Sequence, residues 1–351
     1  MLNSQIISWY FKNMRDLPWR DTQDPYCIWI SEIMLQQTRV ASAIDYYHRF
    51  LQRFPDIQTL AEANEQEVLK LWQGLGYYSR ARNIHYTAKD ICSNYNGQFP
   101  NNYDDLLKLK GIGNYTAAAI AAFAFGRSEV AVDGNVYRVL ARLFGVDTPI
   151  DTGAGKKQFT VLAREIMDSA NPSDFNQAII EFGALQCIPK NPNCQECPLQ
   201  ASCFAFENQS IDQYPVKSKD IRVRDRYFYY LFLHSNEEFL LERRTGKDIW
   251  TNLFQYPLIE APKALDPQII MQSGEWSQIT EGRTLNLQQI SDPILHKLSH
   301  QNLHIVFFTI ELSSEDLHKL QNYTIIHKKN LREYPLPKPI ELHLQGVFSI
   351  K

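Results

Sequence analysis

Four of the six cysteines of the chain lie close together in sequence. They are Cys187, Cys194, Cys197 and Cys203, spaced C-x6-C-x2-C-x5-C, and the prolines between them favour a compact loop. A lone C-x2-C pair matches neither the two pairs of a zinc ribbon nor the cysteine run of two-cluster ferredoxins. Four thiolates around one iron–sulphur cubane fit the spacing best, and a zinc ion is the alternative.

Two carboxylates have surroundings that could tune their chemistry. Glu32 lies in PYCIWISEIMLQQTRV, where most helical neighbours are apolar, so burial should raise its pKa toward that of a general acid. Asp133 lies in VAVDGNVYRV, among apolar residues at the start of a helix. An exposed helix glutamate and an ordinary N-cap are the alternative interpretations.

Two glycines precede an Ala-rich helix in LKGIGNYTAAAIAAFAFG. Gly111 and Gly113 would let the backbone approach a ligand closely, and the unpaired N–H groups of the helix start favour an anion such as a DNA phosphate. A G-x-G before a helix can also be only a tight turn.

The elements that must position these residues change in character along the chain. Residues 1–205 show helical patterns, including one helix that should end near Lys110 and another near Phe125. Residues 206–222 are polar and read as a linker. After them, two strands around a turn at residues 235–237, a further β-prone run, LHIVFFTIEL, and a short helix in SSEDLHKLQN predict an α+β domain over residues 223–351.

The whole chain sets limits on function. Its 351 residues suggest two or three domains. The net charge of −3 is not that of a strongly basic nucleic-acid binder, so any DNA contacts must come from local patches. There is no leader pattern and no apolar run long enough to span a membrane, which predicts a cytoplasmic protein. In a reducing cytosol, clustered cysteines indicate a metal site rather than disulfides.

The hairpin glycines, the aspartate twenty residues beyond them and the cysteine loop together resemble the endonuclease III, or helix-hairpin-helix, superfamily of DNA glycosylases over residues 1–205. Within it, four strings resemble MutY-type adenine DNA glycosylases: LPWR (17–20), SEIMLQQT (31–38), GLGYYSRARN (74–83) and VDGNV (132–136). The resemblance implies an all-α domain of two lobes, a six-helix lobe over about 22–128 and an iron–sulphur lobe from 1–21 and 129–205. It also implies one [4Fe–4S] cluster on the four cysteines and a flipped base between the lobes.

The same resemblance implies the catalytic roles. Glu32 would protonate adenine and later serve as the base for water, while Asp133 would stabilise the oxocarbenium-like sugar or trap it covalently. Tyr115 and Asn135 would flank the sugar. Bifunctional members have a lysine at the position of Tyr115, so the chain should be monofunctional, without lyase activity.

Further residues are implied to bind the substrate. Arg20 and Glu181 would contact the adenine pocket, whereas Gln37 and Tyr77 would enter the base stack beside the partner base. Gly111 and Gly113 would bind backbone phosphate.

The C-terminal domain resembles the MutT-like (Nudix-fold) domain of MutY enzymes. It lacks the Glu-rich metal-binding helix of Nudix hydrolases, so it should bind rather than catalyse. By resemblance, Ser299 and His300 would recognise 8-oxoguanine, with Leu298 where the family has phenylalanine. A polar β-turn is the alternative for this segment.

The leading hypothesis is a base-excision-repair enzyme that acts as a monomer on double-stranded DNA at the nucleoid. It would hydrolyse adenine opposite 8-oxoguanine or guanine and leave an abasic site. The alternatives are a monofunctional glycosylase for another base, such as thymine opposite guanine, a bifunctional pyrimidine-lesion glycosylase, a non-catalytic lesion-binding protein, and an electron carrier.

Overall fold

The computed structural model describes residues 2–167, 170–218, 223–283 and 285–348. Two compact units divide the chain. The first comprises Met1–Glu62 and Asn83–Asp220, and the second comprises Ala63–Arg82 and Ile221–Lys351. The segment 63–82 therefore groups with the C-terminal residues, although its sequence lies inside the predicted glycosylase domain. Of the predicted linker, residues 219–222 lie outside the described ranges.

The part of the chain before the first strand is helical. The α-helices before the first strand are α1 (Leu2–Asn13), α2 (Pro25–Leu35), α3 (Val40–Arg53), α4 (Ile57–Glu62), α5 (Glu65–Leu71), α6 (Ser79–Asn94), α7 (Tyr103–Leu106), α8 (Asn114–Phe125), α9 (Gly134–Phe144), α10 (Gly153–Ile166), α11 (Pro172–Leu185) and α12 (Phe204–Glu207). Short 3-10 turns cover Cys194–Glu196, Gln200–Ser202 and Ile211–Gln213.

Local chemistry sets the ends of the helices that carry the candidate residues. Asp24 caps α2 by accepting the Tyr26 N–H, and Pro25 occupies the first helical position, where its missing N–H is not needed. Asp133 caps α9. Gly145 ends α9 in the left-handed conformation, which glycine adopts without a steric penalty. As a result, the start of α2 and both ends of α9 are fixed by local contacts.

The first unit has an apolar core formed largely by α1, α9, α10 and α11. Ile6, Leu140, Phe159, Phe175 and Phe182 are all buried in it. A second contact joins α2 to α8, and the many alanines of α8 permit that close packing because they have no long side chains. Three partly buried cysteines of the loop, Cys187, Cys197 and Cys203, pack against the core formed by α1, α9, α10 and α11.

The structure corrects one predicted helix end. The helix expected to reach Lys110 ends at Leu106, and the chain continues through tighter turns in which the N–H groups of Lys108 and Leu109 donate three residues back. Tight turns of this kind bring the chain to Gly111, whose φ of +82° no α-helix could accommodate.

In the second unit, the described residues contain one mixed sheet of eight strands. The strands are β1 (Arg224–Ser235), β2 (Glu238–Arg243), β3 (Phe254–Gln255), β4 (Leu258–Ala261), β5 (Asn286–Ile290), β6 (Ile294–Lys297), β7 (Gln301–Glu311) and β8 (Thr324–His327). Besides α5, which lies in segment 63–82, the helices of this unit include α13 (Pro267–Met271), α14 (Gly274–Thr280), α15 (Ser314–Lys319) and α16 (Lys338–Phe348). A 3-10 turn covers Lys328–Glu333.

Strand β1 organises this sheet. It pairs in parallel with β7 from Arg224 opposite Gln301 to His234 opposite Glu311, and antiparallel with β2 and β4. The predicted hairpin between β1 and β2, the strand in LHIVFFTIEL and the short helix after it are all present. The alternation of polar and apolar side chains was weak in β1 because most of its residues are buried. No helix in the described ranges combines the length and the apolarity that a bilayer crossing requires.

Candidate active site

A cleft of about 580 Å³ opens in the first unit. Its volume is in the range of pockets that hold small ligands. The cleft is lined by residues from the segment before α2, from α2 and the residues that follow it, from α8, from the start of α9, and from one side of α11. Seven of the residues predicted from the sequence lie in this lining: Arg20, Glu32, Gln37, Tyr115, Asp133, Asn135 and Glu181.

Glu32 is buried on α2, with only 7% of its surface exposed. Burial raises its pKa to about 7, and the nearby charge of Asp133 acts in the same direction. A hydrogen bond from Tyr115 and the charge of Arg20 oppose this rise without cancelling it. The raised pKa lets Glu32 keep its proton nearer to neutral pH than an ordinary glutamate does, as a general acid requires.

Asp133 holds the start of α9 as its N-cap. One carboxylate oxygen accepts the N–H groups of Asn135 and Val136, both at 2.9 Å, and the other accepts the Asn135 side-chain amide at 2.7 Å. Burial raises the pKa of Asp133, and these hydrogen bonds oppose the rise because they favour the ionised form. The cap interpretation of Asp133 is correct, and the same carboxylate also lines the cleft.

Tyr115 lies in the first turn of α8 and hydrogen-bonds to Glu32. Burial raises the pKa of its phenol well above the ordinary value, and the charges of Glu32 and Asp133 add to this effect. The hydroxyl therefore stays protonated and can act only as a hydrogen-bond donor or acceptor toward the carboxylates.

Glu181, on α11, is fully buried between two arginines. Arg15 donates to it through Nε at 2.8 Å, Nη2 at 2.5 Å and its main-chain N–H at 2.9 Å, and Arg20 donates through Nη2 at 2.9 Å. Burial alone would raise the pKa of Glu181, but these bonds outweigh it and lower the pKa to about 2. This carboxylate stays ionised.

Arg15 was not predicted from the sequence. It stands only two residues before the LPWR string that drew attention to Arg20. Its spacing of five residues from Arg20 carries no helical or strand periodicity, because the segment between α1 and α2 is irregular. Only the fold brings both guanidinium groups to one carboxylate.

The remaining predicted DNA contacts fall in two places. Gln37 is exposed at the cleft and has a φ of +56°, an uncommon conformation for a residue with a side chain. Tyr77, Ser299 and His300 belong to the second unit and are exposed. The hydroxyls of Tyr77 and Ser299 hydrogen-bond to each other.

The two hairpin glycines differ in what they require. At Gly111, with φ at +82°, a Cβ would lie 2.7 Å from the Cβ of Asn83, so the position has no space for a side chain. Gly113 is the N-cap of α8, is exposed, and would meet nothing within 4 Å. Gly111 therefore shapes the turn, whereas Gly113 leaves the helix start open to an approaching ligand.

The four cysteines of the loop are partly buried and share one electrostatic environment. Burial raises the pKa of the Cys194 thiol, and the charges of Cys187 and Cys203 raise it further; Cys197 responds to all three of the others. Within the described ranges, no three His, Cys, Asp or Glu side chains are placed to share a single metal ion. Four thiols in one short loop are the donor set that iron–sulphur clusters use.

Two arginines of α9 hold the loop, and one of them, Arg138, also contacts a residue of the cleft. Arg142 is 2% exposed and approaches the Cys187 sulfur at 3.5 Å, while it also donates to main-chain carbonyls of the loop. Arg138 donates to the Cys187 carbonyl at 2.7 Å, the Gly183 carbonyl at 2.6 Å and the Asn135 side-chain oxygen at 2.9 Å. One guanidinium group thus fixes both the first cysteine and the amide that contacts Asp133.

Comparison with known proteins gives matches in both halves of the chain. Residues 30–165 match the HhH-GPD superfamily of base excision DNA repair proteins, and residues 228–346 match the NUDIX domain. An adenine DNA glycosylase of Buchnera aphidicola (subsp. Schizaphis graminum) is 35% identical over 343 residues, which cover 97% of this chain and 96% of that protein. The chain belongs to the adenine DNA glycosylase family. The predicted resemblance is confirmed.

Other relatives match a smaller share of the chain. The human adenine DNA glycosylase is 42% identical over 217 residues, which are 59% of this chain and 40% of the human protein. A solved thermostable thymine-DNA glycosylase superimposes with a TM-score of 0.56 at 30% identity, over 59% of this chain and 95% of that one. Endonuclease III in a non-covalent DNA complex gives 0.51 at 23% identity, over 59% and 94% respectively, which supports the fold alone.

These findings confirm the predicted fold class and family. The helical glycosylase fold and the Nudix-like domain are both present, and the family hydrolyses N-glycosyl bonds in DNA. Members of the endonuclease III superfamily typically carry an iron–sulphur cluster.

Proposed function

We propose that this chain removes adenine mispaired with 8-oxoguanine or guanine from double-stranded DNA and leaves an abasic site. The observation that carries the proposal is the placement of Glu32, with a pKa of about 7, in one cleft with Asp133. The full-length likeness to adenine DNA glycosylases supports adenine as the base.

The first step is loss of adenine from the sugar. Adenine leaves poorly as an anion, so the protonated Glu32 transfers its proton to a ring nitrogen while the bond between the base and C1′ breaks. The bonding electrons go to the base, which departs neutral, and the sugar is left as an oxocarbenium-like cation. Arg20 and the ionised Glu181 line the same cleft and orient the flipped base.

The second step is the addition of water. The Asp133 carboxylate, held by the amides of Asn135 and Val136, stabilises the positive charge on the sugar or bonds to it transiently. Glu32, now a carboxylate, accepts a proton from water while the oxygen of that water bonds to C1′. This proton restores the acid for the next cycle.

The chain should stop at the abasic site. Strand cleavage by related bifunctional enzymes needs an amine to form a Schiff base with C1′. Tyr115 occupies that position here, and its hydroxyl is engaged with Glu32. A buried phenol is no substitute for an amine in that reaction.

One [4Fe–4S] cluster would be held by Cys187, Cys194, Cys197 and Cys203. The four thiols of one loop and the arginine at the Cys187 sulfur support this assignment, and the C-x6-C-x2-C-x5-C spacing, which has only one C-x2-C pair, favours it over a zinc ion. The cluster would supply structural cross-linking of the loop, since four cysteines leave no position for a substrate. Arg138 and Arg142 keep the loop in register with α9 whatever it holds.

DNA contacts are proposed at both units. The start of α8, behind Gly113, offers N–H groups to a phosphate, and Gln37 would enter the base stack. Tyr77 would enter the base stack beside the base opposite the adenine, and Ser299 and His300 would recognise that base, which assigns lesion recognition to the second unit and chemistry to the first. We propose that the enzyme works as a monomer in the cytoplasm, associated with the nucleoid.

The second candidate substrate is thymine opposite guanine. Its support is the 30% identity to a thymine-DNA glycosylase. That likeness covers 59% of this chain, whereas the adenine DNA glycosylase of Buchnera aphidicola (subsp. Schizaphis graminum) matches 97% of it. Adenine is therefore preferred.

Glycosylase assays on duplexes containing A:8-oxoguanine, A:G, T:G or A:T test the proposal. The wild-type protein should create alkali-labile sites at the first two only. Glu32→Gln should lower the single-turnover rate by at least about 100-fold, the scale of a lost general acid. Glu165→Gln, an exposed glutamate of α10, is the matched control and should retain activity.

Three results would contradict parts of the proposal. Faster excision from T:G than from A:8-oxoguanine would favour thymine as the substrate. Strand cleavage without alkali would exclude the monofunctional assignment. Full activity of Glu32→Gln would remove Glu32 as the acid.

A further inference from the structure

Helix α5 is connected to a C-terminal segment within the second unit. We define the strap as residues 328–336, which include the 3-10 turn Lys328–Glu333. Side chains of α5 and of the residues after it bond to the main chain of the strap: Gln66 to the Glu333 carbonyl at 2.8 Å, Lys70 to the Tyr334 carbonyl at 2.9 Å, Gln73 to the Leu336 N–H at 3.1 Å and Tyr78 to the Leu336 carbonyl at 3.4 Å.

The strap in turn is anchored to the sheet. Phe254 of β3 donates its N–H to the Pro335 carbonyl at 2.9 Å, and its ring packs edge-on against Tyr334 with centroids 4.9 Å apart. A second attachment involves Glu65 at the start of α5, which accepts from Asn252 at 2.7 Å and from Arg243 at 3.3 Å. Segment 63–82 therefore belongs physically to the C-terminal sheet.

Lys70 is the central residue of this attachment. Its half-buried ammonium group donates to the Tyr334 carbonyl at 2.9 Å, the Gln73 side-chain oxygen at 3.1 Å and the Leu331 carbonyl at 3.4 Å. Three acceptors match its three N–H bonds. Without the ammonium, strap carbonyls would lose their donor in a partly desolvated place, which is costly.

The residues between Lys70 and Tyr77 form a constrained turn, so the position of α5 determines the position of Tyr77. Arg80 is 7% exposed and donates to the carbonyls of Leu75 at 3.1 Å and Gly76 at 3.2 Å, and its guanidinium lies over the rings of Trp72 and Tyr77. Gly76 has a φ of +72° and Tyr77 one of +47°, so the turn has a definite, constrained shape. Tyr77 at its end meets Ser299.

We propose that Lys70 is a positioning residue for recognition of the base opposite the adenine. It holds Tyr77 beside Ser299 by fixing α5 to the strap. The inference rests on the proposed function, because it assigns Tyr77 and Ser299 to the partner base. Lys70 itself touches no DNA in this scheme, and the excision chemistry in the first unit does not depend on it.

The test compares Lys70→Met with Lys89→Met, an exposed lysine of α6 that serves as the matched control. Single-turnover rates are measured on A:8-oxoguanine and A:G duplexes, together with amide hydrogen exchange of residues 72–79. Lys70→Met should reduce the preference for 8-oxoguanine by about tenfold, which corresponds to about 1.4 kcal/mol, and leave the A:G rate within about twofold. Exchange over 72–79 should accelerate, and Lys70→Arg should restore part of the preference.

Equal losses on both duplexes, or an unchanged preference despite faster exchange, would overturn the inference. If Lys70→Met does not fold, Lys70→Gln replaces it with the same expectations. If the wild-type protein excises no adenine, the proposed function fails. The hydrogen-exchange comparison then tests by itself whether Lys70 fixes α5 to the strap. Unchanged protection of residues 72–79 in Lys70→Met would show that it does not.

Discussion

Glu32 occupies surroundings that favour catalysis at the expense of stability. The apolar string around it allowed burial and a raised pKa to be predicted from the sequence, because a helix that is apolar on all sides must be buried. The partners of Glu181 could not be predicted in the same way. Arg15 reaches that carboxylate through an irregular segment whose path no local pattern specifies.

Replacing Glu32 by glutamine should stabilise the protein above neutral pH. The folded-state pKa of about 7 exceeds the ordinary value of 4.5, so the native protein binds the extra proton and loses stability as pH rises from about 4.5 to 7. Glutamine avoids this loss, which amounts to about 3 kcal/mol at 1.36 kcal/mol per pKa unit. Denaturant unfolding at pH 4 and pH 8 measures the effect, which should appear at pH 8 only.

A stability gain of equal size at pH 4 would argue against titration of Glu32 as the cause. Glu165→Gln should change stability little at either pH, because its side chain is exposed.

At the scale of the element, the two glycines before α8 have different roles: Gly111 is required for the turn, and Gly113 leaves the start of the helix open. The G-x-G pattern predicted the turn and the helix start, and both are present. It did not predict which glycine is sterically required, because that depends on Asn83, a residue 28 positions away in sequence. The helix end at Leu106 was missed for a related reason, since i to i−3 turns look helical in a sequence.

Gly111→Ala should destabilise the protein by about 1–3 kcal/mol, because it adds a left-handed φ penalty to a Cβ clash with Asn83. Gly113→Ala should leave stability nearly unchanged and weaken DNA binding, because its Cβ would enter only the open space before α8. Unfolding curves and DNA titrations of both variants check this. Similar stability losses in the two would refute the division of roles.

At the scale of the molecule, the two compact units have separate apolar cores. One lies among α1, α9, α10 and α11, and the other lies against the sheet around β1 and β7. Their order in the sequence was predictable from the change from helical to strand patterns. The transfer of segment 63–82 to the second unit was not, because it depends on side-chain bonds to a strap more than 250 residues later.

Loss of a cysteine ligand should therefore affect one unit only. Cys194→Ser should abolish the visible absorbance expected of the proposed cluster and accelerate hydrogen exchange in α9 and α11, whose residues pack against the loop. Exchange in β1 and β7 should stay at the wild-type level. Cys92→Ser, outside the loop in α6, is the control and should retain both the absorbance and the protection.

Uniform loss of protection in both units would show that their stabilities are coupled. A colourless wild-type protein containing one zinc ion would contradict the cluster assignment itself.

The contacts of Arg138 affect how iron content and activity should be interpreted in variants of this enzyme. A single guanidinium group holds the Cys187 carbonyl, the Gly183 carbonyl and the amide of Asn135, which in turn bonds Asp133. A change at this position should lower iron content and excision rate together through loss of shape alone. Iron content and activity are thus dependent measurements near α9, and a correlation between them is not grounds for assigning electron transfer to the repair reaction.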